Sequence, residues 1–273
     1  MTTVQKGARG QEVITIQCAL ASTGLYSGDI DGCFGNQLEA ALVAFQTRKG
    51  LPANGVVDAP TAAALGIPDS PPVVCRYPGV TPQTIAPMFP GTPLVNIEAN
   101  LPYVLNALAD ADLCDREMIL MALATIRAEA ASFLPISEFQ SPYNTSPGGH
   151  PFDKYDTMSM LGNKGAPDGA NFRGRGFIQL TGRSNYQTYG AAIGQELTES
   201  PLSAHHPEIA AKLLVSFLKA HEQAIRAAIA ANNLAKAREL VNGGTNGLPE
   251  FEDAFNTGLK LIPSTPSTSI ASA

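Results

Sequence analysis

Two glutamates fall where a carboxyl could do work. Glu129 closes an apolar run, residues 116–130, in which Met118, Ile119, Met121, Ala122, Leu123 and Ile126 leave almost no polar face. A helix that apolar is central and buried, and a carboxyl at its end is partly desolvated. Desolvation favours the protonated carboxyl, the form a general acid needs. Glu138 comes nine residues later, beyond Pro135, in Pro135-Ile136-Ser137-Glu138-Phe139. With a helix-breaking proline between them the two cannot share one helix face, but a loop folding back across a cleft can hold them on opposite sides of a sugar. Two such carboxyls about 6.5–9.5 Å apart leave room for a water and imply inversion at the anomeric carbon. Taken alone the pair is a weak signal, since a solvated or capping glutamate is the ordinary alternative.

A denser signal is the run Asn171-Phe172-Arg173-Gly174-Arg175-Gly176-Phe177-Ile178-Gln179-Leu180-Thr181-Gly182-Arg183-Ser184-Asn185-Tyr186. The alternating glycines and arginines describe a turn entering a short extended or helical segment. Gln179, Thr181 and Asn185 would project the neutral donors and acceptors that grip sugars. Arg173 and Arg175 fit either a structural role, pairing with a carboxylate, or direct substrate contact. Phosphate or RNA binding through this run is disfavoured by a net charge of -6 and by the lack of further basic clusters. Tyr143 and Asn144 fit either the lining of a cleft or a plain turn.

The elements that must position these residues separate into two units. Residues 11–22 set Val13, Ile14, Ile16, Gln17 and Leu20 on one helical face. An Asx-Gly turn feeding an Ala-Ala-Leu helix then occurs twice, at Asp31-Gly32 and Asn54-Gly55. This internal repeat predicts a small three-helix module over residues 1–67. Eight prolines between positions 68 and 93 predict a stiff connector, with the linker proper at 68–79 and Ile85, Met88 and Phe89 beyond it able to dock on the second unit. Residues 80–262 read as a mainly helical domain, with helices expected over 96–111, 116–130, 207–230 and 234–241 and a long irregular stretch at 132–176. The low-complexity residues 263–273 read as a flexible tail. The fold class is therefore mainly α.

Both units resemble known families. The first is similar to the peptidoglycan-binding domain 1 family through Asp31, Gly32, Phe34, Gly35, Phe45, Gln46, Gly50 and Leu51; it departs from that pattern at Leu38, Asn54 and Asp58. The second resembles glycoside hydrolase family 19, the class I chitinases and the phage and bacterial lysozymes related to them. Phe172, Gly174, Arg175, Gly176, Gln179, Leu180, Thr181, Asn185 and Tyr186 meet its motif in order. Ala128-Glu129-Ala130 stands where the family has His-Glu-Thr, and Val241-Asn242-Gly243-Gly244 matches its Asn-Gly-Gly loop. The resemblance implies Glu129 as general acid, Glu138 as the base activating water and Thr181 as a residue that positions that water. Gln179, Asn185 and Asn242 would bond the acetamido sugars, with Tyr143 and Arg175 further candidates for substrate contact. The implied activity is that of an endolysin-type muramidase, cutting the β-1,4 bond between N-acetylmuramic acid and N-acetylglucosamine in peptidoglycan glycan strands. The alternatives are a chitinase acting on N-acetylglucosamine polymers and a non-catalytic wall-binding protein.

Other chemistries fit the inventory poorly. His150, His205, His206 and His221 form neither His-Glu-x-x-His nor His-x-His, so no zinc site and no cofactor are expected. Cys18, Cys33, Cys75 and Cys114 lack Cys-x-x-Cys spacing and read as small buried hydrophobes. The amino terminus has no signal-peptide pattern and no apolar run reaches membrane-spanning length. The expectation is a monomer made in the cytoplasm that acts on periplasmic or cell-wall peptidoglycan after holin-type release or injection. Neither nucleic acid nor a stable membrane association is expected.

Overall fold

The computed structural model describes residues 3–67, 75 and 77–264. Within them the protein is mainly α-helical, and strand pairing is confined to isolated bridges. The amino-terminal unit packs α1 (Gln11–Ser22), α2 (Asn36–Lys49) and α3 (Ala59–Ala64) around Val13, Ile14, Ile16, Leu20, Phe34, Leu38, Leu42 and Phe45. A two-way bond between Val4 and Val57 closes its ends.

The repeat has a physical cause. Gln17 is fully buried on α1; its amide donates to Asp31 Oδ1 at 2.8 Å and its oxygen accepts from the Gly32 amide at 2.9 Å. Gln46 does the same for the second turn, accepting from the Gly55 amide at 3.0 Å and donating to the Val56 carbonyl at 2.8 Å. Each Asx-Gly turn is thus clasped by a buried glutamine. Gly32 and Gly55 adopt φ near +70°, which side-chain-bearing residues resist.

The larger unit is built on α5 (Arg116–Glu129), in which every residue from Met118 to Ile126 is buried. Asp115 caps its start by accepting from the Met118 amide, and Asp112 sits outside the helix at φ 56°. Around it lie α4 (Leu94–Asp110), α6 (Arg183–Ala192), α7 (Pro207–Ala220), α8 (Glu222–Ala230), α9 (Leu234–Asn242) and α10 (Leu248–Leu261), with α10 packed along α5 and α7 along α4. The chain leaves α5 at Glu129, within a residue of the expected end, and turns through Ala130 and then Phe133 at φ 56°. Two expectations are corrected. The run 207–230 is two helices, interrupted at His221. Cys75 and Cys114 are joined as a disulfide, with Cα atoms 6.0 Å apart, and are not free apolar fillers. Pairing across 39 residues is a spatial relation that cysteine spacing does not carry. Of the Pro-rich connector, residues 68–74 and 76 lie outside the described residues, as do 265–273 of the tail.

The two units share a packed boundary. Leu134, buried, and Ile136 and Leu202, partly buried, all from the larger unit, join the apolar core of the amino-terminal bundle. Helix α1 lies against the 3-10 turn Pro201–His205 and against α4. Asn96 on α4 donates to the Ser132 carbonyl at 3.0 Å, and Gly10, just before α1, sits so close to Asn96 Oδ1 that an added Cβ would approach it to 2.9 Å.

Candidate functional site

Glu129 occupies the C-terminal residue of α5, where the helix dipole disfavours a negative charge. It is partly buried, with 17% of its side chain exposed, and its nearest charged partner is a cation. Arg238 of α9, only 1% exposed, places Nη2 2.6 Å from Glu129 Oε1. The same guanidinium donates to the Asn246 carbonyl from Nε at 3.0 Å and from Nη2 at 2.8 Å. Asn242, the last residue of α9, donates to that carbonyl as well, at 3.3 Å. The loop after α9 closes on the helix end: a Cβ at Gly247 would lie 3.2 Å from Ala128 Cβ. Glu129 and Asn242, separated by more than a hundred residues, are therefore brought together through Arg238 and one shared carbonyl.

Glu138 anchors a second cluster. Residues 136–138 run beside the glycine-arginine turn: the Glu138 amide donates to the Gly174 carbonyl at 2.8 Å and the Gly176 amide to the Ile136 carbonyl at 3.1 Å. The carboxylate accepts from Asn144 Nδ2 at 2.9 Å, from the Tyr155 hydroxyl at 2.8 Å and from the Gly174 amide at 3.2 Å. Burial, and then the bond to Glu138, push the Tyr155 phenol well above its ordinary range. Gly174 is the meeting point of this cluster. A Cβ there would lie 2.9 Å from Gln179 Oε1, 3.2 Å from Thr181 Oγ1 and 3.3 Å from Glu138 Cβ.

The neutral polar residues are held by the backbone. Gln179, at φ 50°, donates to the Ile136 and Gly176 carbonyls; Thr181 donates to the Gln179 carbonyl and Asn185 to that of Thr181. Their orientations are thus set before any ligand arrives. Tyr143 lies on the outside of the loop with 91% of its surface exposed, whereas Asn144 is buried against Glu138.

Arg175 requires a correction. It is 2% exposed, so it cannot reach a bound sugar, and among the described residues it does not pair with a carboxylate either. Its guanidinium donates to the Asn171, Arg173 and Ala170 carbonyls and to the Tyr186 hydroxyl, which fastens the turn from beneath. Arg173 lies over the Phe152 ring; burial, with Arg175 nearby, lowers it to about 10.

Sequence reasoning missed Tyr155, Arg238 and Asn246. A tyrosine in an irregular loop has no periodicity to betray it, and an arginine in a polar-faced helix reads as solvated. Neither Cys114 nor Cys18 presents a ready thiolate: Cys114 is in a disulfide and burial pushes the Cys18 thiol up to about 12. Among the described residues no three His, Cys, Asp or Glu side chains gather as metal ligands. A cavity of about 400 Å³ lies between the two units, lined by Thr15, Cys18, Leu202, Ser203 and His206; none of the predicted site residues borders it.

Residues 9–65 match the family described as "Putative peptidoglycan binding domain". A "Glycosyl hydrolase family 19 domain-containing protein" of Haemophilus influenzae is 32% identical over 89 residues, 33% of this chain and 42% of that protein. A "Spore cortex-lytic enzyme" of Bacillus cereus is 42% identical over 62 residues, 23% of this chain and 24% of that protein. The chain thus matches less than half the length of these curated relatives. A crystal structure of a chitinase C mutant superimposes with a TM-score of 0.50 at 22% identity, covering 70% of this chain and 95% of that one. The fold is therefore that of a chitinase C-like helical domain. The chain joins a peptidoglycan-binding type of bundle to a domain similar to family 19 glycosyl hydrolases.

Proposed function

We propose that this protein is a peptidoglycan hydrolase, an endolysin-type muramidase cutting the β-1,4 bond between N-acetylmuramic acid and N-acetylglucosamine by general acid/base catalysis. The observation that carries the reading is the Glu138 cluster, a carboxylate held by three donors beside Thr181 and Gln179. Such an acceptor, aimed by fixed neighbours, is what a base must be. Glu129 supplies the proton. Arg238 engages its Oε1 and leaves Oε2 to carry the proton to the bridging oxygen as the C–O bond breaks. Water attacks the anomeric carbon from the opposite face and yields its proton to Glu138, inverting the centre. Thr181 steadies that water. Gln179, Asn185 and Asn242 bind the acetamido groups, Tyr143 offers a ring at the rim, and Arg175 acts only by supporting the turn.

The amino-terminal bundle binds the wall polymer and raises its local concentration at the site. We place the site of action at the cell wall, reached by holin-type release or by injection. The Cys75–Cys114 disulfide supports action in an oxidising compartment outside the cytoplasm. A second reading, chitinase action, draws on the fold shared with chitinase C. Mass spectrometry of borohydride-reduced soluble products from purified peptidoglycan separates the possibilities. Reduced muramic acid ends support the muramidase. Reduced glucosamine ends favour the chitinase-like cut, and freed stem peptides with intact glycan refute both.

A further inference from the structure

His205 is fully buried and ends the 3-10 turn Pro201–His205. Its Nδ1 lies 3.0 Å from the Leu202 carbonyl and its Nε2 lies 2.7 Å from Ser137 Oγ. A carbonyl only accepts, so Nδ1 carries the hydrogen; Nε2 then presents a lone pair and the Ser137 hydroxyl donates to it. Burial, with Arg175 nearby, holds the imidazole well below its ordinary pKa, in keeping with a neutral ring. Ser137 is itself 3% exposed, which removes it as a nucleophile despite the serine-histidine pairing. It is the residue before Glu138, and its backbone pairs with Arg175 in the bridge that lays residues 136–138 beside the glycine-arginine turn. On the other side, the Leu202 side chain packs into the core of the amino-terminal bundle, as do Leu134 and Ile136, from the same short segment as Ser137.

We propose that His205 is a positioning residue for Glu138, tying the segment that bears the carboxylate to the turn that the amino-terminal bundle grips. The inference rests on the proposed role of Glu138 as the base. The imidazole links two backbone segments whose separation decides where the carboxylate stands relative to Thr181 and Gln179. A shift of about 1 Å at a reacting group can cost roughly a hundredfold in rate, so loss of this link reaches the chemistry without touching substrate.

The test uses the full-length protein acting on soluble peptidoglycan glycan strands freed of stem peptides, so that wall tethering does not enter. His205→Leu is expected to lower kcat roughly tenfold or more while leaving KM within about twofold. His205→Gln, which keeps one donor and one acceptor, is expected to recover most of that loss, and Ser137→Ala to lower kcat like His205→Leu. Thermal melts confirm that each variant is folded at the assay temperature; if His205→Leu is not, Ser137→Ala decides alone. Wild-type kcat in Ser137→Ala and His205→Leu, or an effect confined to KM, overturns the inference, while an inactive Glu138→Gln in the same series leaves the role of Glu138 standing. Activity retained in Glu138→Gln overturns both together.

Discussion

At the scale of residues, the two carboxylates are held by different means. Glu129 has one cationic partner, and Glu138 has three neutral donors. Replacing Glu129 by Gln keeps the bond to Arg238 but removes the transferable proton. Glycan cleavage should fall on the order of a hundredfold to ten-thousandfold with the melting temperature little changed; unchanged lysis by Glu129→Gln would remove it as the acid. Tyr155→Phe withdraws one donor from Glu138 while keeping the ring, and should lower kcat about tenfold, read on the same soluble strands. Gln179, Thr181 and Asn185 stand out in the sequence as neutral polar residues beside a glycine-rich turn, whereas Asn242 is reached only through the resemblance to family 19. Arg175 is visible too, but its depth is not, since a guanidinium surrounded by backbone carbonyls leaves no pattern in the chain.

At the scale of elements, helices with a strong apolar face are legible: α1 and α5 begin and end within a residue of their expected bounds. The break at His221 is not, because apolar spacing continues through Ile225 on the far side. Helix α10, which packs against α5 with Phe251 and Phe255 buried, lies in sequence that reads as part of the domain but not as a helix. Two bonds fasten elements whose loss is measurable. The short helix Asp168–Asn171 is tied to α6 by an ion pair from Asp168 to Arg183, which holds the Asp168 carboxyl below its ordinary range. Because the folded form prefers the ionised acid, this contribution is present above about pH 4 and lost as pH falls through the lowered folded value. Asp168→Asn should therefore show a shallower loss of stability in acid than the wild type, measured by urea unfolding at stepped pH. The Cys75–Cys114 disulfide spans 39 residues, and its reduction should cost about 2–4 kcal/mol by the same assay.

At the scale of the whole molecule, the amino-terminal bundle and the larger domain share apolar contacts through Leu134, Ile136 and Leu202. Two units without mutual contacts would melt separately; units joined by buried apolar contacts lend each other stability. Calorimetry should show one cooperative transition. Leu134→Ala should lower that single midpoint, in line with a loss of about 2–5 kcal/mol for a buried leucine. Two resolved transitions, with only one moved by Leu134→Ala, would contradict this. None of this docking is legible in the chain. The proline-rich connector suggests a spacer, and an apolar residue such as Leu134 in a loop gives no indication of which core it will enter.

That shared boundary bears on engineering. Wall-lytic proteins read as beads on a string invite exchange of the binding bead to redirect host range. Here a foreign bundle joined at the connector would leave Leu134, Ile136 and Leu202 facing solvent, and it would unseat the turn that ends in His205. A working graft must carry across the face of α1 that meets this turn along with the new specificity.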